Sequence, residues 1–344
     1  MFRSWLHPLV ALVVTLLVMA GVLLIVGQPP LLVFRTLLVQ PWLVEGGFGA
    51  IINRATPLLI CAIGLSFGFR AGVWNLGAEG QFIVGASAAT LVALMLPVMA
   101  PLPALGLMAL AGGIGGGLWA LLPAWLFLKF KADLLLVSLM LVFVAQSGLQ
   151  GLIFGIWRDP AGYNYPQTAI FAPQFLLPKL TNLGSVSTAA LIGLLVLALG
   201  WFMQRYSAWS FGLRLGRDSP GAAAVAGYSR LLQVVTTMVV GGVAAGVAGM
   251  TEVSGSLGQL SLSIVQNHGF TAILVAYLGR LSAGGMLVSS LFLAVLTVGG
   301  EGLRIGLAMP EAFVMTLEGL ILVVMVALNG LMAGKSLGRL NYDG

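Results

Sequence analysis

Charged side chains are nearly missing from this chain: they make up 8% of its 344 residues, against 59% hydrophobic. With a mean hydropathy of +1.06, that scarcity excludes a soluble globular protein, in which about a quarter of the residues carry charge. Cysteine is missing apart from Cys61, so no intrachain disulfide can form. Cys61 lies inside an apolar run and reads as a small buried hydrophobe. No stretch alternates apolar and polar residues over about ten positions, which excludes a transmembrane β-barrel. No soluble domain is visible, so no catalytic or nucleotide-binding domain is expected. The net charge of +6 comes from basic residues scattered singly between apolar runs. That is the mark of membrane topology, not of a nucleic-acid-binding surface, so no nucleic acid polymer is expected as a partner.

What is present is a series of apolar runs, several of roughly 18 to 25 residues, the length that crosses a hydrocarbon core about 30 Å thick. Candidate spans are 9–27, 54–69, 79–98, 103–128, 133–155, 187–205, 231–252, 268–281, 284–300 and 311–333, which makes an all-α polytopic bundle of about ten spans. The eighth and ninth are short, as broken or partial spans would be. The first run, Leu9 to Val26 after Arg3, is long for a signal peptide. The "VGQPP" that follows it lacks a small-x-small cleavage site, so it reads as a retained span.

Basic residues set the orientation. With the N-terminus in the cytoplasm, the inner side receives Arg3, Arg70, Lys129, Lys131, Arg205, Arg214, Arg217, Arg230, Arg280, Lys335 and Arg339. The outer side receives only Arg35, Arg54, Arg158, Lys179 and Arg304, so both termini are expected in the cytoplasm. Residues 28–53 and 156–186 are expected outside the membrane, the second as an ordered loop cap with four prolines. Residues 206–230 are expected as a cytoplasmic loop.

Four motifs bear on function. "GLMAGKS" at Gly330 to Ser336 resembles a phosphate loop, but residue 329 is Asn and the preceding element is a membrane span. Lys335 therefore reads as a membrane anchor, and any ATP must be bound by another subunit. The cytoplasmic "GLRLGRDSPGAAAVAGYSR" holds a compact helix signal: Asp218 or Ser219 as cap, Pro220 at the first helical position, Ala222 to Ala226 as helix formers and Gly227 as terminator. A helix of about two turns is stable only when docked, either against its own spans or against a cytoplasmic partner. Glycine pairs Gly112/Gly116, Gly113/Gly117 and Gly242/Gly246 allow close helix approach.

The fourth motif is the polar stretch "RAGVWNLGAEGQ", Arg70 to Gln81, between two apolar runs. On one reading Asn75 caps the next helix and Glu79 sits in its first turn, where a carboxylate suits the dipole. On the other, the link dips into the bundle, because irregular backbone at membrane depth survives only where it faces protein or water. A second "N-x-G" at Asn267, in "NHGFTAILVAYLGR", also precedes a short apolar run, and paired interruptions of this kind point to a binding path. Gln146 and Gln150, Glu252 and Glu318 are the other intramembrane polar residues, and such groups usually face the bundle interior. No buried Arg or Lys cluster awaits a phosphate or carboxylate, which favours a polar but neutral solute.

Together, "NRATPLLICAIG", "FGFRAGVWNLGAEGQFIVGASAA", "GLRLGRDSPGAAAVAGYS" and "GFTAILVAYLGRLSAGGMLVSSLFLAVLTVGGEGLR" resemble the permease subunits of bacterial ABC importers of the branched-chain amino acid and simple-sugar type. The nucleoside-importer branch is the most similar. The resemblance covers roughly residues 10–333. It implies a single permease domain over 1–344 with two inverted-repeat halves, approximately 54–155 and 231–333, in the bacterial inner membrane. It also implies a second, shorter homologous permease, a cytoplasmic ATPase with two cassettes that uses ATP and Mg, and an extracytoplasmic substrate-binding protein or lipoprotein. This chain itself would be no enzyme and would bind no cofactor or metal, and membrane lipid would surround it. By position, the resemblance places Trp74, Asn75, Glu79, Gln81, Gln146, Asn267, His268 and Thr271 near the solute path. Arg214, Arg217, Asp218, Ser219, Pro220, Ala222, Ala223 and Gly227 fall in the segment that couples to the ATPase. "GGEGLRIG" departs from the family pattern at Glu301 and Arg304, which bears on solute preference. A simple-sugar permease is the first alternative. An ion-coupled secondary transporter using Glu79 and Glu318, or a channel-like protein, are the others.

Overall fold

In the computed structural model, residues 2–97, 99–162, 165–180 and 185–338 are described, with side chains between 13 and 327. Expectations resting on the side chains of Arg3, Lys335 and Arg339, and on the phosphate-loop-like "GLMAGKS", fall outside these. The chain folds as two compact units, one of Met1–Ile51 with Leu291–Gly344 and one of Ile52–Ser290.

In the first unit, α1 (Phe2–Ile25) packs along α14 (Glu311–Gly338). Short helices α2 (Pro30–Phe34) and α3 (Gln40–Leu43) flank a π-turn at Arg35–Val39. Residues 28–53, expected outside the membrane, are largely helical, with Val33 and Leu37 fully buried. Gly299 lies against the Leu37 backbone, where a Cβ would collide with its carbonyl. Arg304 pairs with Glu311 at 3.0 Å across the turn into α14.

The second unit is a bundle of α4 (Gly47–Arg70, which begins in the first unit), α5 (Ala78–Met95), α6 (Pro101–Phe130), α7 (Leu134–Phe154) and α8 (Ala189–Tyr206). It continues with α9 (Ala208–Asp218), α10 (Pro220–Val225), α11 (Arg230–Glu252), α12 (His268–Leu278) and the start of α13 (Ala283–Gly306). Starts are fixed by local chemistry. Asp133 accepts from the Leu136 amide at 3.0 Å, Ser207 from the Trp209 amide at 3.1 Å, and Pro101 occupies the first turn of α6. α4 begins earlier than expected because its polar residues are satisfied: Asn53 donates to the Ser185 carbonyl at 2.9 Å and accepts from the Ser187 amide at 2.8 Å, and Arg54 donates to Gln266.

Among the described residues seven helices are long and apolar enough to cross a membrane: α4, α5, α6, α7, α8, α11 with its π-helical end to Leu257, and α13. The eighth expected span is indeed partial, since α12 has 11 residues and rises about 16 Å, half a hydrocarbon core. The ninth is not short: α13 runs 24 residues, because the polar "GGEGLR" that set its expected end continues as helix. No strand occurs among the described residues. The described part of the loop between α7 and α8 is ordered instead by single bonds to the segment after α11: the amides of Thr168, Phe171 and Leu177 each donate at 2.9 Å to the carbonyls of Leu260, Gly258 and Ser254.

Glycine holds the centre of this unit together. A Cβ on Gly116 would strike the Gly242 carbonyl oxygen, one on Gly246 the Gly112 carbonyl oxygen, and one on Gly85 the Gly246 Cα. α5, α6 and α11 therefore cross backbone on backbone, as the glycine spacing predicts. Gly106 on α6, by contrast, faces open space. Gly246→Leu is expected to abolish a monodisperse elution profile or lower the unfolding midpoint well beyond the few degrees of a surface change, as overpacking costs about 1–3 kcal/mol or more. Gly106→Leu should leave both measurements unchanged.

Candidate functional site

α4 stops because Gly72 adopts φ +67° and turns the chain, letting the Val73 amide donate back to the Gly68 carbonyl at 2.8 Å. The next residues are extended, so their side chains alternate: Val73, Asn75 and Gly77 are buried, whereas Trp74 is 46% exposed. The Asn75 side chain lies beside Gly241, near the middle of α11, so the link re-enters the bundle. Asn75 is not the helix cap; that position is Gly77. Asn75 Oδ1 instead accepts from the Gly77 amide at 3.0 Å and from Gln81 Nε2 at 3.2 Å, while its Nδ2 donates to Gln81 Oε1 at 2.9 Å. The two amide side chains bond to each other in both directions inside the bundle.

Glu79 lies in the first turn of α5, fully buried. Its carboxylate reaches another helix. Oε2 accepts from the Gly269 amide at 2.6 Å and Oε1 from the Asn267 amide at 3.1 Å. Helix N-termini present unpaired N–H groups, and a carboxylate is a natural acceptor for them. Asn267, at φ +59°, turns the backbone so that these amides converge. Gly269 is required by contact, because a Cβ there would collide with the backbone of Ala78 and Glu79. Two helices thus start at one carboxylate.

The remaining expected residues fall around this point. His268 is buried and its ring stacks on Phe82 at 5.0 Å and 11°, with neither ring nitrogen hydrogen-bonded. Thr271 is half-buried in the first turn of α12, its amide bonded to the Asn267 carbonyl at 2.9 Å. Gln146 is half-buried on α7, four residues beyond the Val142 backbone that faces Gly80. Glu252 is buried at the end of α11, where Ser256 donates to it at 3.4 Å. Glu318 belongs to the first unit, against Gly300. An aromatic group was not anticipated: Trp74 stacks on Tyr277 at 5.4 Å and 19°, with Phe69 within 5.5 Å of both. Tyr277 sits in an apolar run that reads as plain lipid-facing helix, so only the fold brings it to Trp74.

On the other side of the link, α9 and α10 form a bracket. α10 matches the expected short helix, with Pro220 in its first turn, Ser219 before it and Gly227 at φ +83° after it. Ser219 occupies the cap position without a side-chain bond. α9 was not foreseen. It is clamped to α11: the Tyr228 ring covers Gly212, and Gln233 fills the space at Gly216 and donates to the Gly212 carbonyl at 2.8 Å. Of α10 only Ala223 is buried; Ala222, Ala224 and Val225 are exposed. Arg217 pairs with Asp218 at 2.8 Å, and its aliphatic stem lies over Gly72. Arg230 donates to the Ala71 carbonyl. Arg214 joins Arg70 and Arg205 around one cavity, a cationic group drawn from three helices that scattered single arginines did not reveal.

The family described as branched-chain amino acid transport system / permease component matches residues 47–326. Among curated proteins, a glucose ABC transporter permease of Haloferax volcanii is 30% identical, over 93% of this chain and 86% of its own. A guanosine ABC transporter permease of Bacillus subtilis is 27% identical, over 89% and 88%. A nucleoside ABC transporter permease of Lactococcus lactis is 23% identical, over 88% and 85%. No solved structure gives a significant match.

Glu79→Gln leaves one acceptor oxygen and turns an amide donor toward a backbone N–H. The expected loss is about 1–3 kcal/mol, read as a lower unfolding midpoint and faster hydrogen exchange at Asn267 and Gly269. Unchanged protection at those two amides would remove the capping role.

Proposed function

This chain belongs to the branched-chain amino acid transport system permease family, and from that membership we propose that it is the membrane-spanning permease subunit of an ATP-binding cassette importer for nucleosides or related purine and pyrimidine solutes. Family membership and the multi-pass bundle carry the transport role. The guanosine and nucleoside permeases among its relatives carry the solute class. One feature of the chain favours a planar solute beyond those names. A stacked, half-exposed Trp74–Tyr277 pair presents an apolar plane, which suits a nucleobase.

The path runs past the meeting point of α5 and α12. Asn75, Gln81 and Glu79 hold that point in shape, and Trp74 and Thr271 face the solute. Gln146 and His268 stand behind them. The pairing of two interrupted elements, α4–α5 and α11–α12, supports a reading as two inverted halves. Both termini lie in the cytoplasm, where Arg70, Arg205, Arg214, Arg217 and Arg230 gather. A separate ATPase hydrolyses ATP with Mg, docking on the exposed face of α10 from Ser219 to Gly227. A second permease completes the pore, and a substrate-binding protein or lipoprotein delivers solute from outside. A sugar permease is the second reading, carried by the 30% identity to the glucose transporter's subunit.

Two measurements test this. In vesicles holding the whole complex, ATP-dependent uptake of labelled nucleoside is expected to be displaced by excess unlabelled nucleoside and not by ribose or glucose; displacement by the sugars alone would establish the sugar reading. Ala222→Glu with Ala224→Glu is expected to lower uptake and solute-stimulated ATPase activity by about tenfold or more, equivalent to roughly 1.4 kcal/mol of docking free energy. The variant should still purify at its normal yield, since both positions are exposed.

A further inference from the structure

The cavity at the ends of α4, α8 and α9 has a volume of about 390 Å³ and is lined by Arg70, Gln204, Arg205 and Arg214, with Trp201 at one wall and Ser282 to Gly284 at another. That volume is ordinary for a small-ligand site. Its chemistry is one-sided. Three guanidinium groups surround it, and among the described residues no carboxylate pairs with any of them. Like charges brought together without counter-charge repel, and an anion between them relieves that repulsion.

Arg70 is built into the fold rather than free in solvent. Its Nη2 donates to Gln204 Oε1 at 2.9 Å and to the Leu281 carbonyl at 2.6 Å, and Gln204 in turn donates to Ser66 at 2.9 Å. This chain of bonds fixes the guanidinium plane while Nε stays buried without an acceptor. Opposite it, α13 begins at Ala283, and its first amides have no acceptor within the helix. Ser282 Oγ caps the Gly285 amide at 3.3 Å, leaving those of Ala283 and Gly284. A fixed arginine, two further arginines and a helix start therefore converge on one volume. Trp201, half-exposed on a membrane-spanning helix, is the residue type found at the headgroup level of a bilayer.

We propose that this cavity binds a phosphate group, either the phosphodiester of an anionic phospholipid headgroup or free phosphate. Planar guanidinium groups match phosphate oxygens in pairs, and basic pockets between membrane helices are suited to such headgroups. The site does not depend on which solute the protein carries.

The test uses the purified full chain and two probes: phosphatidylglycerol offered in competition with phosphatidylcholine and followed by native mass spectrometry, and radiolabelled inorganic phosphate followed by filter binding. The wild type is expected to retain phosphatidylglycerol preferentially. Arg205→Gln with Arg214→Gln should weaken that retention by about 30-fold, on the scale of one cation–headgroup contact per arginine. Arg205→Lys with Arg214→Lys should restore most of it, and Arg158→Gln in the outer loop should change nothing. Labelled phosphate bound by the wild type and lost in the double glutamine variant, without lipid preference, would assign the site to free phosphate. Binding of neither probe, or binding unaltered in that variant, overturns the proposal. So does a variant whose only defect is loss of association with an ATPase, which would make the arginines a protein contact.

Discussion

A carboxylate that closes the start of a helix other than its own is the interaction on which the second unit depends. Inside a bilayer no water is available to satisfy free backbone amides, so a helix that begins at membrane depth needs an acceptor supplied by the protein. Glu79 provides it for α12, at 2.6 and 3.1 Å from two turn amides. Because Glu79 is itself in the first turn of α5, one carboxyl group is shared between two helix N-termini. α12, only 11 residues long, thus has two of its starting amides satisfied by a side chain from another helix.

That arrangement requires backbones to approach more closely than side chains allow. Gly269 presses on Ala78 and Glu79, and Gly85, Gly112, Gly116, Gly242 and Gly246 let α5, α6 and α11 interlock. Dispersion across these contacts substitutes for the hydrophobic driving force, which is missing between helices in lipid. The Asn75–Gln81 pair adds rigidity at the same level, since each amide donates to the other across the non-helical link.

Much of the fold was legible in the sequence. Apolar runs placed α4 to α8 and α11, and Pro220 and Gly227 bounded α10. The break at 71–77 and the half-length of α12 were also visible as polar interruptions. Pairings were not: nothing local indicates that Glu79 meets Asn267 and Gly269 across 188 and 190 positions. Helix-dipole reasoning put Glu79 correctly in the first turn of α5 but missed the second helix start that it serves, since local rules count only the nearest N-terminus. The length of α13 was underestimated because Glu301 and Arg304 read as an end, whereas Arg304 is met by Glu311. α9 was overlooked because Arg214, Arg217 and Asp218 interrupt its apolar residues; its buried side is made of glycines and Leu213, covered by Tyr228 and Gln233.

The grip of Arg217 and Arg230 on Gly72 and Ala71 has a mechanical consequence. From Gly72 to Asn75 is three residues, at most about 11 Å of chain, and both ends of that strap are anchored. Such a short extended segment has almost no slack. A displacement of the Ala71–Gly72 turn must either drag Asn75 with it or break the Asn75–Gln81 pair. The link behaves less like a loop than like a taut strap between the end of α4 and the buried helix starts, and its stiffness comes from burial rather than from regular secondary structure.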